Sequence, residues 1–256
     1  MCIRDSTGES ARRIRDTIDA TVKRPVPWEK KHDTVLFRGG SHGFGSEMYQ
    51  RDGLTDAQAL ALLGAEGADP ARAEVALESA RSNQRVELAV WANSPANELR
   101  DHLDVKVMGS VAHHHAYACY YELEEVVRMD HAQYRQAAWG ANKAFFTVDG
   151  TGVSASLRSE LALDSVVLKM ESTLTQEIER VVLPGVHYMP FTMQNVSEVV
   201  RYVLAEENAA EMQAMVRRAH TALAEELTLE KGAERMRDDL VRLWAGTGAT
   251  PAARSG

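Results

Sequence analysis

Residues 145–170 read FFTVDGTGVSASLRSELALDSVVLKM. An apolar run ends in Asp149-Gly150-Thr151-Gly152, a helical pattern over 152–163 carries Arg158, and a second apolar run closes the stretch. The two apolar runs read as buried strands and the segment between them as a turn opening a helix. Glycines there let the backbone take φ > 0 and come close to a ligand. A helix start presents unpaired N–H groups and the positive end of its dipole, which suits a phosphate. Ser154 and Ser156 add hydroxyl donors, and Arg158 adds a planar fork able to hold two phosphate oxygens. The stretch is a candidate diphosphate site. Its spacing is neither the G-x-G-x-x-G fingerprint nor a P-loop, and the plain alternative is a turn that joins a strand to a helix.

Working outward, residues 33–40 (DTVLFRGG) read as a short buried strand running into a glycine turn. Pro25 and Pro27 break the chain before it. Residues 103–107, 143–149 and 164–170 read as further strands, and 186–191 as a short extended segment. Residues 55–67 and 69–83 read as helices, as do 115–140 with a break near Asp130, and 175–183 up to Pro184-Gly185. The pattern is helical from 195 to 244, broken near Thr228, and 245–256 read as a disordered tail. Strands alternating with helices in the second half predict an α/β layer of parallel strands. Such sheets bind ligands beyond the carboxyl ends of their strands.

Composition narrows the options. Net charge is −8, which makes the chain a poor candidate for general nucleic-acid binding while leaving room for a small local anion site. Cys2 and Cys119 are the only cysteines, too few for a disulfide framework or a cysteine zinc site. No apolar run is long enough to span a bilayer, and residues 1–16 show no apolar core of a signal peptide. The hexamer MCIRDS at the start resembles a translated sequencing-adaptor remnant, from which the chain is expected to be part of a longer protein. His113, His114 and His115 are consecutive, so regular structure cannot aim all of them at one ion, and a solvated loop is expected there. His187 and Tyr188 read as packing residues near the cleft, and Asp149 as the holder of an Asx-type turn.

Four segments, in order, resemble glycosyltransferase family 90, which includes protein O-glucosyltransferases and capsule-associated xylosyltransferases. They are PWEKKHDTVLFRGGSHG (27–43), MDHAQYRQ (129–136), VDGTGVSASLRSELALDSVVLKMES (148–172) and LPGVHYMPF (183–191); NVSEVVRYVL (195–204) also fits the family's helical ending. The resemblance spans residues 26–244. It implies a GT-B-type fold of two Rossmann-like domains, of which this chain is the C-terminal, donor-binding one with a helical tail. Residues 1–25 then form an N-terminal remnant and 245–256 the tail. The implied reaction is inverting transfer of glucose or xylose from a UDP-sugar to a hydroxyl on protein or glycan, with no metal and no other cofactor. The implied partners are the sugar donor and its acceptor, with no nucleic acid and no membrane span; the implied compartment is the secretory pathway.

Carried over by position, the resemblance implies that Arg158, with Gly152, Val153, Ser154, Ala155, Ser156 and Leu157, holds the UDP diphosphate. It adds Arg51 as a second donor-contacting arginine, Gly40 or Ser41 at the turn serine, and Arg38 beside them, positioning its loop or touching the donor. The family's catalytic base is an aspartate in the N-terminal half, which an inverting transfer needs to take the acceptor proton; no residue of this chain matches it. Other departures are Phe37 for a tryptophan, Gly40 for a serine and Gln176 for a glutamate, with Glu177 next to it. These departures favour the alternative expectation, a non-catalytic, degenerate binding module of the same ancestry. A generic nucleotide-binding α/β enzyme is the third reading.

Overall fold

The structure is a computed structural model, and it describes residues 26–40, 84–108, 111–112, 120–121, 128–129, 140–150, 153–154, 156–226 and 228–246. Strands β1 (His32–Gly40), β2 (Leu103–Met108), β5 (Arg128–Met129), β6 (Asn142–Thr147), β7 (Val166–Met170) and β8 (Met189–Phe191) form one sheet. β3 (Val111–Ala112) and β4 (Tyr120–Tyr121) form a separate antiparallel pair. Every pairing in the large sheet is parallel, in the order β5-β2-β1-β6-β7-β8. Counted within this sheet alone, that is the doubly wound order 3-2-1-4-5-6. The chain reverses its direction of travel across the sheet between β1 and β6.

Parallel strands are covered on both faces, and their sequences are correspondingly apolar without alternation. All five residues of β7 are buried. On β1, Val35 and Phe37 enter one core and Leu36 the other. The first core is filled by α1 (Gln84–Asn93), α3 (Val196–Leu204) and the first half of α4 (Ala209–Glu226), through residues such as Leu88, Val200 and Met212. Within it Phe146 and Phe191 meet with ring centroids 5.0 Å apart. The second core holds Phe145, Leu157, Leu161, Ile178 and the later α4 residues Ala219 and Leu223. α5 (Leu229–Gly246) follows a break at Thr228, where the reading placed it, and exposes Met236, Leu240 and Trp244.

The Pro-Trp-Glu segment acts at the amino end of the sheet. Trp28 sits in a 3-10 turn (Trp28–Lys30) and is buried in the first core. The buried Lys31 donates from Nζ to Gly140 O at 2.5 Å, ahead of β6, and lies 3.5 Å from Asp164, ahead of β7. Its burial pushes its pKa down, and Asp164 opposes that shift. Lys143 pairs with Asp33 and stands 5.5 Å from the Trp28 ring centroid. This motif aligns the starts of β1, β6 and β7, and so registers their far ends, where the candidate site lies.

Three expected helices are corrected. Within 115–140 the described residues Tyr120–Tyr121 and Arg128–Met129 are strand, because pairing with β3 and β2 overrides a helical periodicity. The helix expected over 152–163 is only the turn α2, Leu157–Glu160. Its start is delayed because the Asp149 side chain captures the Ser154 N–H, an alternative to helical pairing. The segment 175–183 contains a 3-10 turn, Glu177–Arg180, rather than an α-helix. The expected helices at 55–67 and 69–83 lie outside the described residues, as does 247–256.

Gly185 closes the turn after Pro184 with φ 74°, and a Cβ built there would meet no atom within 4 Å. Gly185→Ala therefore tests backbone strain alone. It is expected to cost about 1 kcal/mol, the usual left-handed penalty, read as a lower denaturant midpoint at unchanged slope.

Candidate functional site

The carboxyl ends of β1 and β6 meet where the strand order reverses, and one arginine joins them. Arg85, in the first turn of α1, donates from Nη1 to Gly40 O (3.1 Å), from Nη2 to Val148 O (2.9 Å), and from Nε to Val148 O and Asp149 O (3.2 Å each). Beside it, Gly39 makes room for the Phe37 ring. A Cβ at Gly39 would stand 2.8 Å from the Phe37 ring and 3.5 Å from Arg85 Nη1. The guanidinium satisfies carbonyls that a parallel ladder leaves open where the strands stop.

Asp149 organises the loop that follows. Its Oδ1 accepts the Ser154 N–H at 2.6 Å, which ties Ser154 to the end of the β6 segment. The Asp149 side chain thus holds backbone, but five residues on, where an Asx-type turn would close two residues on. Its Oδ2 is buried and has no hydrogen-bond partner among the described residues. Ser154 Oγ and Ser156 Oγ lie 2.9 Å apart, and Ser154 O accepts from the Gln176 side-chain amide at 3.0 Å. Gln176 thereby ties Ser154 to the segment after β7. Val153 is exposed, Leu157 is fully buried, and Arg158 projects beside Glu177, 3.1 Å away.

Beneath the loop lies a buried polar layer. Glu160 is buried, accepts from Thr147 Oγ1 at 2.5 Å, and sits above the β6–β7 register pair Thr147 and Lys169. Burial pushes its carboxyl up; hydrogen bonds from Ser156 and Thr147 and the charge of Arg85 pull the other way. Lys169 is buried 3.5 Å from Glu179. Tyr188 is pushed up to about 12 by burial and then by the charges of Glu179 and Glu171, so it stays protonated. His187 Nδ1 accepts the Leu183 N–H at 2.8 Å, and burial lowers its pKa, so the ring is a neutral turn-closing group.

Glu160 makes stability depend on pH in a defined direction. A carboxyl whose folded pKa is raised favours the fold while protonated; that contribution is complete below the unfolded pKa and is lost as pH rises through the folded one. Glu160→Gln keeps a neutral hydrogen-bonding group. The variant is expected to match the wild type in acid and to gain on it as pH rises above the ordinary carboxylate range, measured as the difference in thermal midpoint across a pH series.

Gly40 ends β1 and shares Arg85 with Val148 and Asp149 after β6, while Val153, Ser154, Ser156, Leu157 and Arg158 follow β6 along the chain, Leu157 buried in the second core. Arg38 stands one step back. It pairs with Asp104 of β2 and donates to Asp104 O at 2.7 Å and Phe37 O at 2.9 Å, so its fork is occupied within the sheet. Ser41, Arg51, Gly152 and Ala155 lie outside the described residues, as do residues 113–115. Sequence reasoning missed Arg85, Glu160 and Lys169. The last two carried a signal: Glu160 falls on the apolar stripe of Leu157 and Leu161, and Lys169 interrupts a wholly apolar strand.

A parallel sheet in this order defines a doubly wound α/β domain, and open sheets of this class bind ligands at such a reversal, where this chain carries a glycine-bearing sequence, two serines and an arginine. A narrower assignment comes from comparison of the sequence. The model of Glycosyl transferase family 90 matches residues 69–238, more than half of the chain, and the chain belongs to that family. It is by family a glycosyltransferase, a transferase acting between a sugar donor and an acceptor. The matched span contains three of the four motif segments, and 27–43 precedes it. A search of the curated proteins finds no match. Among the described residues no helix is long and apolar enough to cross a membrane.

Proposed function

We propose that this chain is the donor-binding domain of a GT-B-type, inverting O-glycosyltransferase that uses a UDP-sugar, glucose or xylose, and needs no metal. The observation that carries the reading is the Asp149–Ser154 loop with Arg158 beside it, seated where the strand order of a family 90 chain reverses. Transfer leaves negative charge on the departing UDP. A positioned guanidinium and hydroxyl donors stabilise such charge, the task a metal performs elsewhere. Because α2 is a single turn, its dipole contributes little, and Arg158, Ser156 and the backbone of the loop carry the binding. The acceptor hydroxyl would be a protein or glycan group, and its proton would go to a base outside this chain. The secretory pathway is the compartment this reading favours.

The test is a panel of UDP, ADP and GDP titrated in the presence of EDTA. Binding selective for UDP and unaffected by the chelator supports the reading. Equal affinity for all three nucleotides would leave a generic nucleotide site, and a requirement for added metal would overturn the metal-independent mechanism.

A further inference from the structure

Charged groups beside Arg158 form a chain that donor binding alone leaves unused. Arg158 Nη2 donates to Glu177 Oε2 at 3.1 Å, and the other oxygen of that carboxylate accepts from Arg235 Nε of α5 at 2.6 Å. Arg235 is itself anchored, donating to Glu226 O at 3.0 Å and to Glu226 Oε2 at 3.3 Å at the end of α4. A second tie, Arg180 to Asp239 at 2.7 Å, fastens α5 to the same 3-10 turn. The two arginines compete unequally for Glu177. The Arg235 side chain is 19% exposed against 33% for Arg158, and its contact is the shorter. The less solvated pair is the less screened and the stronger.

We infer that Glu177 is an internal carboxylate competitor for the Arg158 fork, and that Arg235 is the positioning residue that retains it when a diphosphate arrives. The proposal rests on the donor-site reading above. A diphosphate carries more charge than a carboxylate and displaces Glu177 from Arg158. Arg235 keeps the displaced carboxylate paired, so no free negative charge is left facing the ligand. Without Arg235, Glu177 leans wholly on Arg158 and then repels the diphosphate once displaced. α5 thus tunes donor affinity through a side chain that touches neither donor nor acceptor.

The experiment is calorimetric titration of UDP into the wild type, Arg235→Ala, Glu177→Gln and the double variant, with thermal midpoints measured in parallel. Arg235→Ala is expected to weaken UDP about three- to fivefold, the scale of an exposed ion pair. Glu177→Gln is expected to tighten it by a similar factor, and the double variant to equal Glu177→Gln, because Arg235 acts only through Glu177. Weakening by Arg235→Ala that persists when Glu177→Gln is also present would show action through the fold and overturn the proposal. So would weaker binding in Glu177→Gln, or identical affinity in all four proteins. A wild type that binds no UDP overturns the donor-site reading itself, and this proposal with it.

Discussion

Arg158→Ala is expected to lower UDP affinity about ten- to a hundredfold, and to abolish transfer in an enzyme with its acceptor domain present. Hydrogen bonds to charged groups contribute about 1.5–3 kcal/mol each, and a guanidinium makes two at once to a diphosphate. Part of that is already offset in the free protein, because the fork must first leave Glu177, 3.1 Å away. The lower end of the range therefore applies if Glu177 holds tightly. Arg158→Lys keeps the charge but loses the planar fork, and should recover only part of the affinity. Isothermal titration of UDP into each variant measures both effects. Folding is not at issue, since Arg158 is one-third exposed and its described hydrogen bond is to a partly exposed partner.

Arg85→Ala acts on the scaffold beneath the site. Its guanidinium meets three carbonyl oxygens from two strand ends, at 2.9 to 3.2 Å. Truncation leaves those acceptors unsatisfied and removes a positive charge that steadies buried Glu160. Each buried group left unpaired costs about 1–3 kcal/mol, so a total of about 3 kcal/mol is a conservative expectation. At about 2–4 °C per kcal/mol for a domain of this size, the thermal midpoint should fall by about 10 °C. Because Arg85 also fixes Asp149 O, the loop that carries Ser154 and Ser156 loosens with it. UDP affinity should fall in parallel with stability. A stable Arg85→Ala protein with an unchanged midpoint would remove Arg85 from the account.

Much of this was legible in the sequence, for physical reasons that can be named. The strands β1, β2, β6 and β7 follow from apolar runs bounded by glycine, proline or charge, and their boundaries fall within two residues of the reading. That Asp149 would bond nearby backbone follows from an aspartate set before a glycine, though the bond falls five residues on at Ser154 and not in an Asx-type turn. The length of α2 did not follow, because one side-chain hydrogen bond from Asp149 to Ser154 outweighs the helical preference of the residues after it. Nor did strand order, since periodicity records which residues are buried and not which strand lies next to which. Arg85 was invisible for the same reason. It lies in SNQRVELAV, past the helix read over 69–83 and in a stretch that the sequence reading leaves without an element, so the helix Gln84–Asn93 that carries it was also missed. Only the arrival of strand ends from 45 and 63 residues away makes it central.

The central claim is a location: a UDP donor held at the reversal between β1 and β6, by the loop from Asp149 and by Arg158. Amide chemical-shift mapping of the isotope-labelled chain during a UDP titration tests it most directly. The account predicts saturable shifts concentrated on residues 149–158, with Gly40, Arg85 and Glu177 next. Saturable shifts centred elsewhere, for example on α3 or on the exposed face of α5, would contradict it.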